Sequence, residues 1–203
     1  MTTNSSPVDV NELLRLARAG DDNARDRLFA VCRSYVSVAA RAEVASWLKA
    51  KVDASDLVQQ TLLDAHRGLA KFRGETEAEW LGWLRRILAN NAADYVRQFH
   101  GVEKRRVGRE VSLQAGVDSE RGELELSDGG ETPSQIVMHK ELQLQVADAL
   151  TELSEDYQEV IILRNMQRLP FDEVAERMGR SRPATQMLWM RAIKRLQEVL
   201  EAG

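Results

Sequence analysis

The chain has 203 residues, 43% hydrophobic and 30% charged, with a formal net charge of -4. That length accommodates one large domain or two small ones, and the composition is that of a chain that folds in water. No run of about 18 apolar residues occurs, which excludes a spanning helix. The stretch MTTNSSPVDV has neither a basic nor an apolar targeting segment, so a cytoplasmic location is expected. A single cysteine, Cys32, allows neither an intrachain disulfide nor a cysteine metal cluster.

Helical periodicity opens with Val10, Leu13, Leu14 and Ala17 on one face. A second helix is expected after the cap-rich turn Gly20-Asp21-Asp22-Asn23, with Leu28, Val31, Cys32, Tyr35 and Val38 aligned, which places Cys32 in the core. A third groups Val58, Leu62, Ala65 and Leu69, and a fourth groups Leu81, Leu84, Leu88, Ala92 and Tyr95. No alternating strand pattern appears, so the expected fold class is all-α. From Glu110 to Ser134 periodicity gives way to Gly, Ser, Asp and Glu, including Asp128-Gly129-Gly130 and Pro133. This reads as a flexible acidic linker over 110–134 between small helical domains at 1–109 and 135–203. It is long enough that the two need not touch. Helical signal resumes at Leu142, Val146, Ala149 and Leu150, and continues through Tyr157–Leu163, Phe171–Met178 and Leu188–Val199.

The charge is unevenly distributed. Arg97, Lys104, Arg105, Arg106 and Arg109 stand against Glu103 alone, and the linker carries seven carboxylates against Arg121. Between Ile161 and Leu196 eight basic residues face three acidic ones. Two basic modules on an acidic tether suit two separate anion contacts, or simply solvated helix faces.

The sharpest motif runs from Phe171 to Arg191. A short amphipathic helix ends at Gly179, Ser181 can cap the next helix, and Pro183 falls in its first turn. That is the layout of a helix-turn-helix, whose second helix reads bases in the major groove, although an αα-hairpin in a plain bundle has the same spacing. In the N-terminal half, Asp56-Leu-Val-Gln-Gln-Thr-Leu-Leu-Asp-Ala is followed by Phe72-Arg-Gly and by Trp83-Leu-Arg-Arg-Ile-Leu-Ala-Asn-Asn-Ala-Ala-Asp-Tyr-Val-Arg. These blocks resemble the sigma-70-type RNA polymerase sigma factors of the extracytoplasmic-function group. The resemblance continues through Leu153-Ser-Glu-Asp-Tyr-Gln-Glu-Val-Ile-Ile-Leu-Arg to Arg191-Ala-Ile-Lys-Arg-Leu, with sigma region 2 followed by region 4.

The resemblance implies a transcription initiation factor whose partners are core RNA polymerase, promoter DNA and an anti-sigma factor. It implies no membrane association, no cofactor or metal, and a monomer when free. It assigns core-polymerase docking to Asp56, Leu57, Gln59, Gln60 and Thr61, where a solvated helix face is the plainer alternative. It assigns contacts with the downstream (-10) promoter element to Phe72, Arg73, Asn90, Asp94, Arg97, Lys104, Arg105 and Arg106. Within that set the loop from Phe72 to Glu79, about two residues longer than the commoner form, is the position that captures a flipped base. Trp80 and Trp83 could stack on bases, but their spacing with Leu84 and Ile87 favours core packing. Contacts with the upstream (-35) element fall to Arg180, Ser181, Arg182, Gln186, Met187, Met190 and Arg191, with Thr185, Trp189 and Ala192 turned to the core. The methionines suit either thymine methyl groups or a protein partner.

An enzyme is not expected, since His66, His100 and His139 lie in separate segments with no metal or triad pattern around them. The alternative function is a helix-turn-helix regulator acting without polymerase.

Overall fold

A computed structural model of the chain describes residues 9–47, 53–110 and 144–202, side chains at 45–47 and 98–110 excepted. Asp9 caps the first helix, α1 (Val10–Arg18), by accepting hydrogen bonds from the backbone N–H groups of Asn11 and Glu12. Its buried face is the predicted one, Val10, Leu13, Leu14 and Ala17, and it packs on α2 (Asp22–Trp47). Helix α3 (Ala54–Gly68) starts at Asp53, which accepts from the Ser55 N–H and is thereby held below the usual carboxylate range. A 3-10 turn (Leu69–Lys71) and a loop then lead to α4 (Glu77–Glu110).

In the C-terminal half, α5 (Leu144–Thr151) precedes α6 (Glu155–Ile161), which widens into a π-helical turn at Ile162–Met166. Helices α7 (Phe171–Arg177) and α8 (Arg182–Ala202) follow. Every regular element among the described residues is helical, as the periodicity predicts. The basic cluster Lys104-Arg105-Arg106 continues the backbone of α4, which runs to Glu110, and its side chains lie outside the described residues. The acidic linker, apart from Glu110, also lies outside them.

The two halves are in contact. Helix α2 packs against α3 and α4, and also against α5 and the π-helical turn. The reason is visible along α2 itself, where Tyr35, Val36, Val38, Ala39, Ala40, Ala42 and Glu43 are all buried. A helix buried on all sides needs neighbours on all sides. Arg41 seals the edge of this contact with an ion pair to Glu159 (3.1 Å) and a hydrogen bond to Gln158, while the Gln167 amide donates to the Ala42 carbonyl (2.9 Å).

Candidate functional site

Helix α3 presents two faces that the sequence motif runs together. Leu57 and Thr61 are fully buried on the core side of α3, so of the five residues assigned to docking these two offer no exposed surface in this packing. Asp56 and Gln59 are exposed, and Gln60 is half-buried with its amide donating to the Asp64 carboxylate (2.8 Å). The sequence reading did not single out Leu63, which lies 52% exposed on the same face. The signal was there: Leu62 and Leu63 are consecutive, and two consecutive helix positions cannot both point at one core. Around Leu63 a cleft of about 620 Å³ opens between α2 and α3, lined by the apolar Phe29, Ala30, Val58 and Leu62 together with Arg33 and His66. Phe29 and His66 face each other across it at 5.5 Å between ring centroids.

The loop from Phe72 to Thr76 is held from several directions. Phe72 is 7% exposed, packed 5.3 Å from Trp80 and 5.0 Å from Trp83, ring centroid to ring centroid. Its ring therefore anchors the loop from inside, while its neighbour Arg73 is exposed. Trp80 is fully buried and donates its indole N–H to the Cys32 sulfur (3.1 Å), so the core reading of this residue is the right one. Burial pushes the Cys32 thiol up to about 12, which leaves it protonated and unreactive at neutral pH. Gly74 is required by close approach: a Cβ there would lie 2.4 Å from the Phe72 ring and 2.9 Å from the Glu79 Cβ.

Thr76 and Glu79 form a capping box at the start of α4, a Thr-x-x-Glu signature that the sequence reading passed over. The Glu79 carboxylate accepts from the backbone N–H groups of Glu75 and Thr76 and from the Thr76 hydroxyl, and these bonds hold it below the usual glutamate range. Further along α4, Asn90 and Asp94 are exposed and Arg97 is ion-paired with Asp94. The adjacent Asn91 turns inward and donates to Asp64 (3.2 Å), tying α4 to α3.

The helix-turn-helix is formed by α7 and α8. Gly179, with φ of +62°, ends α7 in a left-handed turn in which its N–H donates to the Glu176 carbonyl and the Arg180 N–H to the Ala175 carbonyl. Ser181 then caps α8, its hydroxyl accepting from the Ala184 N–H at 3.4 Å. Thr185 and Ala192 are fully buried and the half-buried Trp189 donates to Asn165 (2.8 Å), which is the core-facing set expected. The opposite face carries Met187, Met190 and Arg191, all exposed, with Gln186 half-buried at its edge and Arg182 exposed at the helix start. Two arginines beside the turn have acidic neighbours: Arg180, just before α8, pairs with Asp156 (2.7 Å) and Arg182 with Asp172 (3.3 Å).

Among the described residues no group of three or more His, Cys, Asp or Glu side chains could hold a metal ion, and no helix is long and apolar enough to cross a membrane. Three surfaces stand out: an apolar cleft beside Asp26 and Arg33, a braced loop beside a polar helix, and an exposed helix face bearing arginine and methionine.

Two family descriptions match the chain in sequence order, Sigma-70 region 2 over residues 23–100 and Sigma-70, region 4 over residues 143–196. An ECF RNA polymerase sigma-E factor of Haemophilus influenzae is 31% identical over 126 residues, 62% of this chain and 63% of that protein. The ECF RNA polymerase sigma factor SigG of Mycobacterium tuberculosis is 32% identical over 159 residues, 72% of this chain and 42% of that protein. The chain thus spans less than two thirds of the length of these two relatives. Among solved structures, the sigma factor RpoE of Bartonella quintana, in complex with the anti-sigma factor NepR, is similar over 88% of this chain and 97% of that chain, with 22% identity and a TM-score of 0.32.

Proposed function

The chain belongs to the sigma-70 family, in its extracytoplasmic-function group, and from that membership we propose that it is a transcription initiation factor. It binds core RNA polymerase, directs it to particular promoters and promotes local melting of the duplex, while bond-making chemistry remains with the polymerase. The observation that carries this reading is the ordered pair of modules, each with an exposed face of fitting chemistry. Docking on core falls to Asp56, Gln59, Gln60 and the Leu63 cleft. The downstream element falls to Arg73, Asn90, Asp94 and Arg97, continued by Lys104, Arg105 and Arg106 along α4. The upstream element falls to Arg180, Ser181, Arg182, Gln186, Met187, Met190 and Arg191. Such a factor works in the cytoplasm, and an anti-sigma protein is a partner of the kind its family leads one to expect.

Two small modules bind DNA weakly by themselves because neither fixes the other's register, and a scaffold that positions both raises the effective affinity. The test is promoter footprinting with permanganate probing of unpaired thymines, with and without core polymerase. The expected result is weak protection by the free protein and a specific melted complex once core is added. Strong sequence-specific protection by the free protein, unchanged by core, supports instead the helix-turn-helix regulator that acts alone.

A further inference from the structure

Helix α1 lies far in sequence from the Phe72–Thr76 loop, yet one of its side chains is bonded to that loop and another to the first residue after it. The Arg18 guanidinium donates to the Gly74 carbonyl at 3.0 Å, across 56 residues of sequence. The Asn11 side-chain oxygen accepts from the Glu77 N–H at 2.7 Å, across 66 residues, so it caps the first turn of α4 from outside. Asn11 and Arg18 are seven positions apart and share one face of α1. Between that face and the loop lies an open cleft of about 710 Å³, lined also by Asp9, Glu12, Arg15 and Glu75. The helix itself is firm, since Val10, Leu13, Leu14 and Ala17 are buried against α2.

We infer that Asn11 and Arg18 are positioning residues for base capture, holding the Phe72–Thr76 loop in the conformation that receives an unstacked promoter base. This inference rests on the base-capturing role given to that loop by family membership. A loop of this length lacks regular hydrogen bonding, and its open conformations must be given up before it can close on a ligand. Bonds made beforehand from a rigid helix remove that cost from the capture step. Glu79 fixes the Glu75 and Thr76 N–H groups from within α4, and Phe72 anchors the loop's start. From α1 come two further bonds, one to the Gly74 carbonyl and one to the Glu77 N–H where the loop enters α4.

The experiment uses the full chain reconstituted with core polymerase and a promoter carrying 2-aminopurine at successive positions of the non-template strand, whose fluorescence rises when the base leaves the stack. Asn11→Ala and Arg18→Ala are each expected to slow that rise about 3–10-fold, the rate equivalent of one lost hydrogen bond. Arg18→Lys should recover most of the rate. Arg15→Ala, whose partner is Glu12 on the same helix, should leave it unchanged. On a template with an abasic site at the responding position, unmutated and variant chains should melt the promoter at equal rates. A defect that persists on the abasic template, or one accompanied by loss of core affinity, overturns the positioning role. So does a fluorescence rise in both alanine variants equal to that of the unmutated chain. No rise at any position with the unmutated chain overturns the base-capture reading of the loop itself, and this inference with it.

Discussion

At the scale of single residues, the carboxylate of Glu79 and the thiol of Cys32 show how environment sets chemistry. Glu79 is held below its ordinary value by three hydrogen bonds to its ionised form, so its contribution to loop order is complete above the unfolded-state glutamate value of about 4.3. It is lost as pH falls through the lower folded-state value. Protection of the Glu75 and Thr76 amides, measured against the intrinsic exchange rate at each pH, should therefore fall on acidification below that value, and Glu79→Gln should flatten the response. Cys32 is different, because its sulfur accepts from the buried Trp80 indole and its protonation state never changes near neutrality. Cys32→Ala leaves that N–H without its partner and opens a small void, and urea unfolding should report a loss of about 1–3 kcal/mol. The hydrophobic period placed Cys32 in the core, but its bond to Trp80 joins residues 48 apart, which no local pattern encodes.

At the scale of helices, a single element often carries a buried stripe and a binding face together. In α3 the Asp56–Thr61 motif contains a buried stripe and the exposed face proposed for docking, and only burial sorts Leu57 and Thr61 from Asp56 and Gln59. In α8 the two faces were legible from sequence, because Thr185, Trp189 and Ala192 repeat at helical spacing opposite the methionines. These assignments predict a crossed result. Leu63→Asp places a charge in the apolar cleft at an exposed position, so circular dichroism should show an unchanged fold while core-polymerase affinity falls at least tenfold, about the cost of one interface contact. Arg182→Ala should leave core affinity intact and weaken upstream-element binding, with a cost of about 1–3 kcal/mol if the arginine reads a base. Equal loss of core affinity in both variants would make the methionine-bearing face of α8 a protein interface. The turn before α8 is a further local test, since Gly179→Ala meets no neighbour within 4 Å but forces an alanine to φ of +62°. Thermal unfolding should register about 1–2 kcal/mol of destabilisation.

At the scale of the whole molecule, α2 is the shared centre, with one half of the chain packed on each side of it. Promoter elements named for positions -10 and -35 lie about 25 base pairs apart, or about 85 Å of duplex at 3.4 Å per step. Engaging both while the halves remain sealed through Arg41, Gln158 and Glu159 is not compatible with that span. Arg41→Glu sets two carboxylates against each other at this seam, and small-angle scattering of the free protein should show a larger radius of gyration than the unmutated chain. An unchanged radius would mean that the apolar packing of α2 holds the halves together without the ion pair. The helical fold, the family and the core-facing residues of α8 were legible along the chain, because helical periodicity, caps and ordered motifs are local signals. That the halves meet on α2, that Leu63 is surface and Phe72 is not, and that α1 reaches the Phe72–Thr76 loop came from long-range packing. Each of these depends on which surfaces find one another across long stretches of chain, and burial is fixed by that encounter rather than by spacing along one helix.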